Sequence, residues 1–172
     1  NLLRPSASVP NIVDLANAIA RLAGASGGPT TPNSEVLEAA IGQADHLVFI
    51  AADGLGMQAI GDIGVGAFIP QHVVAELRTV FPSSTPVVFT SLATGEWPNK
   101  HGVPSWHVYL REIDCVSTII RFNRRSDEKG LAELGLTSEQ AYPLPPAAGS
   151  FTRDALFLLP KGIADTAYST YT

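Results

Sequence analysis

The chain holds one cysteine, Cys115, among 172 residues. A single thiol excludes an intrachain disulfide and a cysteine-built zinc site. Its expected role is that of a small buried side chain. Charge is also scarce: 16% of residues are charged, 11 basic against 16 acidic, for a net of −5. Basic residues gather only at Arg121, Arg124 and Arg125. No nucleic-acid-binding face is expected from that pattern. A small anionic ligand still fits if a metal supplies the positive charge. No apolar run approaches membrane-spanning length. Three glycine signatures are missing as well. There is no Gly-x-x-x-x-Gly-Lys-Ser/Thr loop, and Gly61, Gly64 and Gly66 do not make G-x-G-x-x-G. No G-x-S-x-G elbow is present. These absences count against P-loop, Rossmann and serine-hydrolase readings.

What is present suits one packed domain or part of a larger one, with 45% hydrophobic residues. Asn11 is placed to cap a helix through Ile12, Leu15, Ile19 and Leu22, spaced for one apolar face. A Gly/Ser/Thr/Pro loop from Gly24 to Pro32 follows, then a short helix from Glu35 to Ile41, started by Asn33 or Ser34. His46 to Ala52 is a near-continuous apolar run ending at Asp53-Gly54. That is how a central parallel strand reads when helices cover both faces. Gln71 to Leu77 reads as helix and Arg78 to Phe81 as a short strand. A crossover between the two strands brings Asp53 and Thr85 to one sheet edge. Ser105–Leu110 and Cys115–Phe122 read as a hairpin, and residues 123–149 as a long loop or lid. Thr152 is placed to cap a helix through Leu156 and Leu159, and Ile163 to Thr172 reads as β-like. The expected fold class is α/β, a mostly parallel sheet with helices on both faces.

Residues 81–102, FPSSTPVVFTSLATGEWPNKHG, carry the most information. Thr85 precedes Pro86 and an apolar run that Gly95 closes, which are helix start and stop signals. Thr85 is therefore expected at a helix N-terminus, where free N–H groups and the dipole favour an anion. Its hydroxyl could cap the helix or attack a bound phosphate. Asp53 could bind a metal beside glycines that allow close backbone approach, or could simply sit in an Asp-Gly turn. Taken singly, turn and cap are sufficient explanations. His101 and His107 are conceivable as a metal pair, with a hydrogen-bonded loop or core role for each as the simpler reading. His46 and His72 are expected to be structural or exposed. Trp97 and Trp106 are expected in the core or beside a pocket.

In order, the pieces are the apolar strand, Asp53-Gly54, Phe81-Pro82-Ser83-Ser84-Thr85, Thr90-Ser91-Leu92-Ala93-Thr94-Gly95, Pro98 and His101-Gly102. This order resembles the type I phosphodiesterase/nucleotide pyrophosphatase family of the alkaline phosphatase superfamily. The Thr-Gly…Pro…His-Gly run is its most specific part, and Tyr109 to Glu112 and the Asn11-to-Gly24 helix look like bacterial members. The resemblance spans nearly all of 1–172 but only the N-terminal half of such an enzyme. It implies one part of an alkaline-phosphatase-like catalytic domain, a truncated or partial piece expected to be inactive alone. It implies Asp53 as a metal ligand and Thr85 as both nucleophile and metal ligand. The implied cofactors are two divalent ions, typically Zn2+, and the implied partner is a small phosphate-ester substrate hydrolysed through a phosphothreonine. Where nucleotide pyrophosphatases of the family carry an Asn that holds a phosphoryl oxygen, Trp106 stands here. That makes Trp106 a candidate substrate contact and broadens the expectation to phosphodiesterase or phosphatase. Phosphonate or sulfate-ester hydrolysis is an alternative, as is a non-catalytic binding module that retains the fold.

Overall fold

The computed structural model describes residues 8–171. Helix α1, Ile12–Leu22, starts where its sequence says it should. Asn11 Oδ1 accepts from Val13 N at 2.9 Å and from Asp14 N at 3.1 Å. Asp14 reaches back to Asn11 N at 3.2 Å, which completes a capping box. Helix α2, Pro32–Ile41, is capped by Thr31 rather than by Asn33 or Ser34, with proline at its first position. Arg21 on α1 pairs with Glu38 on α2 at 2.6 Å. Two short helices follow, α3 at Met57–Asp62 and α4 at Phe68–Gln71. Then come α5, Thr85–Thr94, and α6, Pro98–His101.

A three-stranded sheet, order β1-β2-β3, comprises β1 His107–Leu110, β2 Cys115–Thr118 and β3 Asn123–Arg124, all antiparallel. Leu110 pairs with Cys115 and His107 with Thr118. The expected hairpin is therefore present. Each connection is a 3₁₀ turn, Arg111–Ile113 or Ile119–Arg121, closed by a left-handed residue, Asp114 (φ 46°) or Phe122 (φ 52°). Phe122 is bulky for that region. It is buried against Tyr142, 5.8 Å between ring centroids, so packing holds the strained backbone. Helices α7 (Ser138–Ala141), α8 (Lys161–Ala164) and α9 (Ala167–Tyr171) complete the described chain.

Two apolar clusters result among the described residues. A small one joins Val13, Val80 and Val87, with Trp97 packed on it. The larger one joins Val103, Cys115, Ile119, Ile120, Phe122, Leu131, Leu136, Tyr142 and Tyr168.

Several expectations are overturned. The sheet among the described residues is antiparallel, not mostly parallel. Residues 46–52 belong to no ladder, and Val48 and Ile50 are exposed. An apolar run on both faces becomes a central strand only when neighbours flank it, and none pairs with it among the described residues. The expected strand from Arg78 to Phe81 is reduced to a parallel bridge with Asn11: Ile12 N donates to Arg78 O and Arg78 N to Pro10 O, each at 2.9 Å. Helix is absent from 72–77, where the β-branched pair Val73-Val74 disfavours it. The 123–149 segment is not a bare loop but carries β3, short helical turns and α7.

Thr152 caps nothing. Its N–H and that of Arg153 both donate to Ala23 O, and residues 152–160 form no helix. The four consecutive apolar residues from Leu156 to Leu159 had no helical period to assert. Arg153 also donates to Leu22 O, Ala44 O and Asp45 O, so the 47–52 and 155–159 runs leave from one anchor. The expected β-like segment from Ile163 is largely helical as far as Tyr171, because Thr166 Oγ1 accepts from Ser169 N at 3.2 Å and starts α9; Thr172 lies outside the described residues.

Candidate functional site

Asp53 stands at the end of the 46–52 run, in a turn whose next residue, Gly54, has φ +77°. Glycine takes that conformation without steric cost. Thr85 arrives from the other side. The parallel bridge at Arg78 pins the approach, and Val80, buried against Val13 and Val87, fixes the chain just before it. The two side chains meet: Thr85 Oγ1 donates to Asp53 Oδ2 at 3.1 Å. Asp53 is exposed and Thr85 half-buried, so a ligand can approach from solvent.

Thr85 is the first residue of α5 and Ser84 is the cap, one residue earlier than the sequence implied. Neither makes a side-chain capping bond. The Ser84 hydroxyl oxygen is buried and has no partner among the described residues. The first turn carries no acidic residue, and Pro86 has no N–H. The helix therefore presents its positive end beside Thr85, uncompensated by its own side chains.

Residues 47–133, half of the chain, match the family described as type I phosphodiesterase / nucleotide pyrophosphatase. The chain belongs to that family. Family members are hydrolases of phosphodiester and pyrophosphate bonds, and the matched stretch contains both Asp53 and Thr85. No curated protein and no solved structure matches the chain significantly.

The family raises the question of a metal, and the donor set answers it in part. One carboxylate and one hydroxyl are hard oxygen donors of the kind divalent cations take. Held 3.1 Å apart by their hydrogen bond, they are near enough to be neighbouring ligands of one cation. They fit two positions of a coordination shell. No group of three His, Cys, Asp or Glu side chains able to hold a metal occurs among the described residues.

The remaining candidates fall elsewhere. Trp106 is half exposed at the entrance to β1, and no hydrogen bond joins it to Asp53 or Thr85. His107 is exposed and lies 3.3 Å from Thr118 Oγ1. His72 stacks on Phe68, and His46 is exposed.

His101 is fully buried. Its Nδ1 accepts from Val103 N at 3.2 Å, so Nε2 carries the proton and donates to Ser91 Oγ at 3.0 Å. Burial pushes its pKa down to about 4, which keeps the ring neutral at ordinary pH. With both nitrogens engaged, His101 is a hydrogen-bonded core residue. The Ser91–His101 link and the unpartnered Ser84 were not anticipated from the sequence. Only the adjacency of Ser83, Ser84 and Thr85 hinted at the latter.

Among the described residues no helix is long and apolar enough to cross a membrane.

Proposed function

We propose that this chain is the N-terminal part of an alkaline-phosphatase-like catalytic domain that hydrolyses phosphate esters, diesters in particular, with Thr85 as nucleophile. The supporting observation is the contact between Thr85 Oγ1 and Asp53 Oδ2 at the open N-terminus of α5. Asp53 and Thr85 would hold one divalent cation, Zn2+ by family resemblance. Bound there, it would lower the hydroxyl pKa and offset phosphoryl charge. A second ion would need ligands from outside the described residues.

The chain's own groups then have defined work. Thr85 Oγ1 forms the bond to phosphorus as the bond to the leaving oxygen breaks; the hydroxyl proton goes to solvent, and the leaving oxygen takes one up from it. The helix dipole favours the anionic phosphoryl group during transfer. Water cleaves the phosphothreonine, and the threonine proton returns. Trp106 would flank the substrate. Exposed apolar runs at 47–52 and 155–159, unpaired among the described residues, support the reading of one part of a larger domain.

The test is hydrolysis of bis(4-nitrophenyl) phosphate and 4-nitrophenyl phosphate by the full-length protein, with and without chelator. Chelator-sensitive diester turnover is expected. Thr85→Ala should abolish it while changing stability by under about 1 kcal/mol, since the hydroxyl caps nothing. Near-normal turnover in that variant rules out the nucleophile.

A further inference from the structure

Helix α5 is tied at three points by side chains from distant parts of the chain. Asn17 holds its C-terminal end through Gly95 O at 2.9 Å, and His101 holds its middle through Ser91. The third tie lies at the N-terminal turn. Tyr168, on α9, is buried, and its hydroxyl lies 2.8 Å from Thr90 Oγ1 and donates to Pro86 O at 3.3 Å. Thr90 Oγ1 donates to the same carbonyl at 2.6 Å. Two hydroxyls thus converge on the carbonyl of the residue that follows Thr85. Pro86 has no N–H, so that carbonyl is the only main-chain hydrogen-bonding group it offers.

The ring is itself held firmly. Tyr142 meets it edge-on at 5.6 Å, and the Tyr142 hydroxyl donates to Ile119 O at 2.8 Å. Burial raises the pKa of Tyr168, so its phenol remains a donor. The tie therefore runs from the larger core to the first turn of the helix that bears Thr85.

We infer that Tyr168 is a positioning residue: with Thr90 it fixes the first turn of α5 and so aims Thr85 Oγ1 at the site it shares with Asp53. This rests on Thr85 acting as the nucleophile. Misplacement of a reacting atom by about 1 Å costs on the order of a hundredfold in rate, so partial loosening should be visible in kcat.

The experiment compares wild type, Thr85→Ala and Tyr168→Phe in the full-length protein, with bis(4-nitrophenyl) phosphate, well below the melting temperature. For Tyr168→Phe, kcat is expected to fall about tenfold with KM within about twofold, the pattern of lost alignment rather than lost binding. Amide exchange in a peptide covering residues 82–91 should also quicken. A role in stability alone would lower the melting temperature and leave kcat of the folded enzyme intact; that result overturns the inference and spares the nucleophile. Turnover that survives Thr85→Ala removes the nucleophile, and the positioning role with it. Should Tyr168→Phe fail to fold, Thr90→Val removes the other hydroxyl of the same tie. Unchanged kcat and unchanged exchange in that variant overturn the inference equally.

Discussion

Asp53 and Thr85 are 32 positions apart in the chain, yet their side-chain oxygens lie 3.1 Å apart. The contact makes each residue's ambiguity smaller, since a turn Asp and a helix-start Thr have no separate need to meet. If both oxygens hold one cation, Asp53→Asn should remove most of the bound metal, read by elemental analysis of the full-length protein. Unchanged metal content takes Asp53 out of the site. His101 yields a prediction of a different kind. Its folded pKa is near 4 against 6.5 for the free residue, so the unfolded chain binds more protons between those values. The associated stability is intact above about pH 6.5 and is lost as pH falls toward about 4, on the order of 3 kcal/mol in all. Urea-unfolding midpoints for wild type and His101→Gln should show it. The variant is less stable at neutral pH but loses less on acidification. Equal acid sensitivity in the two would show that His101 does not control it.

At the scale of elements, α5 decides most. It is short, and its buried polar residues Thr90 and Ser91 would be a liability without partners. Tyr168 and His101 supply them. The C-terminal end has its own device. Gly95 sits at φ +68°, and a Cβ there would lie 2.9 Å from Asn17 Oδ1. Asn17 meanwhile donates to Val13 O and Gly95 O, both at 2.9 Å. Gly95→Ala should cost about 2 kcal/mol or more, from left-handed strain plus the clash. Asn17→Ala should cost about 1–3 kcal/mol, because it leaves a buried carbonyl unpaired. In a double-mutant cycle by thermal or urea unfolding, Gly95→Ala should cost less in the Asn17→Ala background. Strict additivity would show that the close approach does not matter. The ends of α5 were readable from Pro86 and Gly95 because caps are local chemistry. Its three tethers were not, since each joins residues brought near only by folding.

The whole molecule exposes 11059 Å2 of accessible surface, against about 8,100 Å2 for a folded monomer of this mass. Part of the excess is apolar: Val48, Ile50, Leu156 and Leu158 are each at least 78% exposed. Surface of that kind associates unless something covers it. The 172-residue chain made by itself is therefore expected to self-associate, read by light scattering. Ile50→Lys with Leu158→Lys should suppress the association without lowering the melting temperature. A monomer that scatters no more than the double variant would show these runs to be harmless. The same exposure explains why the parallel sheet read from the sequence is not seen. Strand tendency at 46–52 is a property of the residues, but pairing is a property of neighbours.

Composition and spacing alone determined the helix at Ile12–Leu22, the hairpin of β1 and β2, and the start and stop of α5 to within one residue. Each depends on side chains within a few residues of one another, so the physics that sets it is already complete in a short segment. That Asp53 meets Thr85 was expected from the sequence, though at a sheet edge that the described residues do not form; tertiary structure alone decided that 155–159 stays outside any helix and that Tyr168 reaches the first turn of α5. Those outcomes depend on which distant groups satisfy a particular carbonyl or carboxylate, and only the folded chain brings such groups together.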